Sequence, residues 1–257
     1  MPFKKEAIEA ARAAGNIHQD HYIRGTRGRA KTASYDLVTE ADLESERVIV
    51  DVLRRKFPDH NFMSEEQFSQ KTASEYTWII DPLDGTNNFA CGIPFFCSSI
   101  ALVKDGEPIL GVVYDVMHDE LFVAEKGQGA FLNDKKISVS NALSLPEAML
   151  ITGFYYDRGQ GMVDTLGNMR KFFEQKVMGI RRFGAAALDL CYVACGRAGG
   201  FWEFQLNPWD FAAGMLLVEE AGGKVTGKQG NPVPLEKTYI VASNGHIHAA
   251  MLEVLGK

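Results

Sequence analysis

The stretch from Trp78 to Gly92, WIIDPLDGTNNFACG, decides how this chain is read. Trp78, Ile79 and Ile80 are three large apolar residues in a row, the mark of a strand buried on both faces. Asp81 and Asp84 follow, with Pro82 between them and Gly85 behind. Asp-Pro and Asp-Gly are common turn dipeptides, so the spacing predicts a tight turn at the strand's end. Such a turn points two carboxylates and the Leu83 carbonyl at one spot. Gly85-Thr86-Asn87 then opens a short helical turn, whose free amides suit an anion. Carboxylates repel a phosphate unless cations lie between, and hard cations such as Mg²⁺ take oxygen ligands. The arrangement therefore makes sense mainly as a metal-bridged phosphate site.

The bulk numbers exclude several classes. The chain has 257 residues, of which 46% are hydrophobic and 23% charged. That length can bury a substantial core without disulfides, and that composition does not suit a disordered chain. A net charge of -6 is a poor match to a dedicated nucleic-acid binder, the basic run RGTRGRAK (Arg24–Lys31) being the local exception. No run approaches the roughly 20 apolar residues of a membrane span. The N-terminus shows no apolar signal core, and a cytoplasmic protein is expected. Cys91, Cys97, Cys191 and Cys195 match no CxxC pattern and read as buried, reduced thiols.

Along the chain, helical spacing predicts a helix over residues 3–23 and a second one capped by Thr39 and stopped before Pro58. Strands are expected at 60–64 and 76–81. A strand-rich meander follows, with turns at Asp105-Gly106, His118-Asp119 and Gly127 to Gly129. Beyond it, a strand (148–153), a helix (161–175) and a short strand (177–181) are expected. A helix closed by Gly196, the strand GGFWEFQ, a helix started by Asn207-Pro208, and a last strand and helix complete the chain. The fold class is α/β (mixed α+β), with helices layered on sheets. No linker composition interrupts it, so one domain over 1–257 is expected, with an N-terminal half to about 140 and a C-terminal half from about 141.

Five acids stand at element boundaries: Asp42, Glu65, Asp81, Asp84 and Asp210. Each alone has an ordinary reading as a helix-start or turn residue. Together, WIIDPLDGTNNF and PWDFAAGMLLVEEAGG resemble the two signature motifs of the inositol monophosphatase family. DLVTEAD (36–42) and SEE (64–66) extend the resemblance over essentially the whole chain. The resemblance implies a layered α-β-α-β-α sugar-phosphatase fold, a homodimer, and Mg²⁺-dependent, Li⁺-sensitive hydrolysis of phosphate monoesters. It implies that Glu65, Asp81 and the Leu83 carbonyl hold one Mg²⁺. Asp81, Asp84 and Asp210 would hold a second, and Glu65 would touch a third. Asp42 and Thr86 would orient the attacking water, the Gly85 and Thr86 amides would bind phosphate, and Lys31 would belong to a flap near the site.

Substrates in the family include inositol monophosphates, fructose 1,6-bisphosphate, histidinol phosphate and 3′-phosphoadenosine nucleotides. Glu203, seven residues before Asp210, resembles the inositol branch, where it accepts from ring hydroxyls. Gly184, Ala185 and Ala186 match the segment that contacts the ring. The chain departs from the family at Asn87, often Thr, and at Ala90-Cys91. Tyr155, Tyr156, Asp157, Arg158, Arg181 and Arg182 are candidates to alter specificity. Some bacterial relatives also act as accessory proteins of transcription antitermination, a second possible role. No Walker A motif or GxGxxG after a strand is present, which counts against nucleotide-driven transfer.

Overall fold

In this computed structural model the described residues are 3–25, 28–30, 37–154 and 158–256. Helix α1 (Lys4–Arg24) buries a stripe of small residues, Ala7, Ala10, Ala11 and Ala14, which lets it lie close against its neighbours. His18 and His21 continue the same buried stripe. Two short strands, β1 (Arg29–Ala30) and β2 (Leu37–Val38), pair antiparallel before α2 (Glu40–Lys56). Thr39 caps α2 as expected: its Oγ1 accepts the Ala41 N–H at 3.2 Å.

The first sheet contains β3 (Asn61–Ser64), β4 (Ser69–Gln70), β5 (Tyr76–Asp84) and, after a short helix α3 (Thr86–Ala90), β6 (Cys97–Lys104). It continues through β7 (Glu107–Asp115), β8 (Glu120–Glu125), β9 (Gly129–Leu132) and β10 (Lys135–Lys136), in the spatial order β10-β9-β8-β7-β6-β5-β3-β4. Asp105 (φ 51°) and Gly106 (φ 82°) make the tight hairpin between β6 and β7 that their sequence suggested. A further hairpin at Asn133 (φ 45°) and Asp134 (φ 62°), joining β9 to β10, was not anticipated.

The turn expected at Asp81–Gly85 is not what forms. Strand β5 continues through Asp84, pairing Asp81 with Ser99 and Asp84 with Cys97, so Pro82 and Leu83 together oppose Ser98. That is a β-bulge. Pro82 has no N–H to give the ladder, and a bulge removes it from the ladder without ending the strand. Gly85 (φ 92°) makes the exit, and a Cβ there would stand 2.9 Å from the Phe95 carbonyl oxygen.

The second sheet follows with β11 (Met149–Thr152), α4 (Gln160–Glu174), β12 (Gly179–Arg181), α5 (Ala186–Ala194) and β13 (Gly200–Leu206). Helix α6 (Pro208–Glu220), β14 (Lys224–Thr226), β15 (Thr238–Ser243) and α7 (His248–Val254) complete it, with strand order β12-β11-β13-β15-β14. Helices α1 and α2 cover the outer face of the first sheet around Trp78, Ile80 and Leu53. Helices α5 and α6 lie between the sheets, and α4 and α7 cover the second around Phe172, Trp202 and Met251. The layers run α-β-α-β-α. Each fully buried large side chain such as Phe122 or Phe172 contributes roughly 1.5–3 kcal/mol.

Helix α6 is apolar nearly all round because sheets lie on both sides of it. Its seat on β7 is Gly111, where a Cβ would stand 2.7 Å from the Ala213 carbonyl oxygen. Its far end is tied by Glu220, whose carboxylate accepts the Gly127 and Gly129 N–H groups, each at 2.7 Å. All four cysteines are free, but only Cys97 and Cys191 are buried. Cys91 is exposed because it caps the exposed end of α3, and Cys195 is half-buried. Among the described residues no helix is long and apolar enough to cross a membrane.

Candidate active site

Strand alternation aims the first ligand candidate. Trp78 and Ile80 face α1 and α2, while Ile79 faces the middle helices, and Asp81 shares its side. The Leu83 N–H donates to Asp81 Oδ1 at 3.1 Å, so the bulge holds its own carboxylate. Asp84 sits beyond the bulge and accepts the Ala187 N–H at 2.7 Å on Oδ2, from the first turn of α5. Asp210 stands in the first turn of α6, and its Oδ2 accepts the Asn207 N–H at 2.6 Å. Glu65 follows β3 and is held by its backbone, its N–H donating to the Ile80 carbonyl at 3.1 Å. Glu46 of α2 steadies the next residues by accepting the Gln67 and Phe68 N–H groups.

Glu65, Asp81, Leu83, Asp84, Gly85, Thr86, Ala186, Glu203 and Asp210 line one cavity of about 320 Å³. Burial and the neighbouring carboxylates Glu65, Asp84 and Asp210 raise the Asp81 carboxyl well above the usual range. Burial and the repulsion of Glu65 and Asp84 likewise raise Asp210. Burial pushes Asp84 up to about 7, against the Ala187 amide that lowers it. These acids are mutually unfavourable as a set of anions, and a cation of high charge is what relieves them.

Asp42 is fully buried, yet all its bonds are made. Its Oδ2 accepts the Thr39 N–H at 2.7 Å and the Thr39 hydroxyl at 2.6 Å. Its Oδ1 lies 2.8 Å from Thr86 Oγ1, which is also 3.0 Å from the Leu83 carbonyl oxygen. The pairing of Asp42 with Thr86 that the resemblance implied is thus present as a hydrogen bond. Burial raises the Asp42 carboxyl to about 6, partly offset by the two Thr39 donors.

Glu203 lies on β13, facing the cavity rather than solvent, and is 8% exposed. Burial pushes its carboxyl up to about 8, with Arg182 pulling the other way. Its place depends on Gly153, where a Cβ would stand 1.8 Å from Glu203 Oε2. Lys31 lies outside the described residues, as do Tyr155, Tyr156 and Asp157. Arg158 and Arg181 are exposed and do not line the cavity, whereas Arg182 does.

The apolar reading of AAALDLCYVACG passed over Asp189. That carboxyl is fully buried in α5, and neither oxygen has a hydrogen-bond partner among the described residues. Burial, then the charges of Glu203 and Asp84, raise it well above its ordinary value. A single Asp inside an otherwise apolar helix was the available signal.

Among the described residues no three His, Cys, Asp or Glu side chains are closed round one point as a finished metal cage. The carboxylates instead line an open cavity. Such an all-oxygen donor set fits Mg²⁺, which keeps several waters and uses few carboxylates, better than a softer metal. Fold and site together define the class: a cation-assisted hydrolase of phosphate esters.

Residues 2–257 match the inositol monophosphatase family. An inositol-1-monophosphatase of Synechocystis sp. is 42% identical over 97% of this chain and 87% of its own length. A putative Nus factor SuhB of Neisseria meningitidis is 44% identical over 99% of this chain and 98% of its own. The solved inositol monophosphatase of Anabaena superposes with a TM-score of 0.88 at 41% identity, covering 99% of this chain and 95% of that one. An inositol monophosphatase/NADP phosphatase solved with Mg²⁺ and phosphate has a TM-score of 0.83 at 29% identity, covering 95% and 91%. The chain belongs to the inositol monophosphatase family, a family of Mg²⁺-dependent phosphoric monoester hydrolases.

Proposed function

We propose that the protein hydrolyses phosphate monoesters of polyols, inositol 1-phosphate foremost, by direct attack of water. The observation that carries this reading is the gathering of Glu65, Asp81, Asp84 and Asp210 round one cavity beside the Thr86–Asp42 hydrogen bond. In this reading Glu65, Asp81 and the Leu83 carbonyl would hold one Mg²⁺. Asp81, Asp84 and Asp210 would hold a second, and Glu65 would reach a third. Mg²⁺ bound there makes hydroxide available near neutral pH and neutralises phosphate charge. Because the acids come from both halves of the chain, residues 1–257 act as one functional unit.

The chain's own groups place the water and the ester. Thr86 Oγ1 carries one proton and has two acceptors in reach, Asp42 Oδ1 and the Leu83 carbonyl. With Asp42 ionised, that proton lies toward Oδ1, and the Oγ1 lone pairs accept from a water in the cavity. As the water oxygen bonds to phosphorus, its proton passes to Thr86 and the Thr86 proton to Asp42, while the ester P–O bond breaks and the leaving alkoxide takes a proton from water. The Gly85 and Thr86 amides hold phosphate oxygens, and Glu203 with the Ala186 backbone receives the alcohol's hydroxyls.

The deciding experiment is a side-by-side panel of inositol 1-phosphate, fructose 1,6-bisphosphate, histidinol phosphate and 3′-phosphoadenosine nucleotides. Each is assayed with and without Mg²⁺ and Li⁺. Inositol 1-phosphate should show the highest kcat/KM, with Li⁺ inhibiting. Preference for the bisphosphate would move the assignment, with Arg182 as the candidate for its second phosphate. Absence of Mg²⁺-stimulated release from every ester would overturn it.

The likeness to a putative Nus factor SuhB supports a second role in transcription antitermination, through surface contacts. Complementation of a deletion strain by Asp84→Asn separates that role from hydrolysis. A homodimer accords with the exposed apolar residues Val163, Leu166 and Phe173 on α4 and Met178 before edge strand β12. Light scattering of the purified protein tests it.

A further inference from the structure

The bulge in β5 has one peptide unit that the sheet does not hold. Pro82 and Leu83 share it, and it faces Ser98 without ladder pairing. Its two ends are nonetheless both bonded. The Leu83 N–H donates to Asp81 Oδ1 at 3.1 Å. On the opposite side, His18 Nε2 lies 2.9 Å from the Pro82 carbonyl oxygen. A carbonyl only accepts, so Nε2 carries the proton and the ring is the Nε2–H tautomer.

The surroundings hold the ring in that pose. His18 is fully buried, edge-on to Phe89 and Phe96 at centroid distances of 6.4 and 6.0 Å. These rings, with Ala41 and Leu83, form a separate apolar cluster behind the bulge, packed by Ile17 and Tyr22. Nδ1 has no partner among the described residues, so one hydrogen bond, to Pro82, fixes the imidazole. The same bond spares a buried carbonyl from standing unpaired.

We propose that His18 is a positioning residue of the cation site, acting through the Pro82–Leu83 peptide. A trans peptide points its C=O and N–H in opposite directions. Holding the carbonyl toward α1 therefore holds the Leu83 N–H toward the cavity side, where it fixes Asp81 Oδ1. The next unit's Leu83 carbonyl is held separately, by Thr86 Oγ1 at 3.0 Å. His18 so governs Asp81, assigned above to the first Mg²⁺, without touching the ion, and the inference rests on that assignment. It matches the general pattern in which groups one step behind the ligands tune metal affinity.

The test uses Mg²⁺ alone, measured by calorimetry and by the Mg²⁺-dependent rise in Tm, with activity as a separate readout. His18→Leu and His18→Phe remove the donor and differ in size, and His18→Gln restores an N–H near the Nε2 position. The donor-less variants should weaken Mg²⁺ binding by about tenfold, with His18→Gln recovering most of it. KM for inositol 1-phosphate at saturating Mg²⁺ should stay within about twofold of wild type, because no substrate group meets His18. Asp84→Asn is the control for the cation site itself. Wild-type affinity in His18→Leu or His18→Phe, with binding lost in Asp84→Asn, would overturn the role of His18 alone. Equal weakening in all three His18 variants would also overturn it, since packing rather than the donor would then matter. A wild-type protein that binds no Mg²⁺ would overturn both the site and the role of His18.

Discussion

Helices α2 and α6 begin alike and end up doing different chemistry. Each has an aspartate in its first turn whose Oδ2 reaches back to the N–H of the residue before the helix. That bond is 2.7 Å from Thr39 to Asp42 and 2.6 Å from Asn207 to Asp210. In both, one carboxylate oxygen serves the fold. The second oxygen differs. Asp42 Oδ1 meets the Thr86 hydroxyl, whereas Asp210 faces Glu65 and Asp84 and lines the cavity. The same local device thus supplies a proton acceptor in one place and a cation ligand in the other. The surroundings, not the cap, decide which.

The sharpest way to break this pairing is Asp210→Asn. It keeps an acceptor for the Asn207 N–H but removes a ligand charge, so Mg²⁺ binding should collapse. Turnover should fall by about 10³-fold, on the order of 4 kcal/mol of barrier. Calorimetry with Mg²⁺ and a phosphate-release assay read the two effects. Asp42→Asn should leave Mg²⁺ affinity near wild type and lower kcat by about 10²-fold, the scale of one proton-transfer contribution. Equal loss of metal binding in both variants would erase the distinction.

Acidity offers a smaller contrast. Asp84 is pushed to about 7 and Asp42 to about 6, both above the unfolded carboxyl. A raised carboxyl pKa means the folded chain holds protons that the unfolded chain has released. Through this cluster, metal-free stability is therefore greatest at low pH and is lost as pH rises toward 6 to 7. Buried His18 and His248, both lowered to about 4, act with the opposite sign. Their neutral forms stabilise the fold above the unfolded histidine value, and that contribution is lost as pH falls toward 4. Mg²⁺ isolates the first effect, because it binds only ionised carboxylates. The Mg²⁺-induced rise in Tm should be larger at about pH 7.5 than at about pH 5. The smallest effect is expected from Thr39→Ala. It should cost about 1 kcal/mol in urea unfolding and lower kcat only a few-fold, since Asp42 keeps the residue-39 N–H and Thr86.

Much of this was legible in the chain. Thr39, Asn207-Pro208, Gly196 and Asp105-Gly106 announce their caps and turns through local chemistry, and the structure places them so. The acids could be gathered only because their motifs appeared together, as each alone suits an ordinary turn. What escaped depends on distant contacts. Pro82 forbids a ladder bond in a turn and in a bulge alike, and only the pairing of Asp84 with Cys97 distinguishes them. His18 sits on the alanine face of α1, which reads as plain core until Pro82, 64 residues on, supplies its partner.

Gly111 carries a consequence for mechanical tolerance. Helix α6 is a shaft about 20 Å long, clamped at one end by Glu220 and bearing Asp210 at the other. Its bearing is the glycine of β7, one helical turn from Asp210 through Ala213. A single added methyl there would push the shaft off its seat and carry Asp210 away from Asp81 and Asp84. The alignment of the cavity is thus machined at a spot that touches neither cation nor ester.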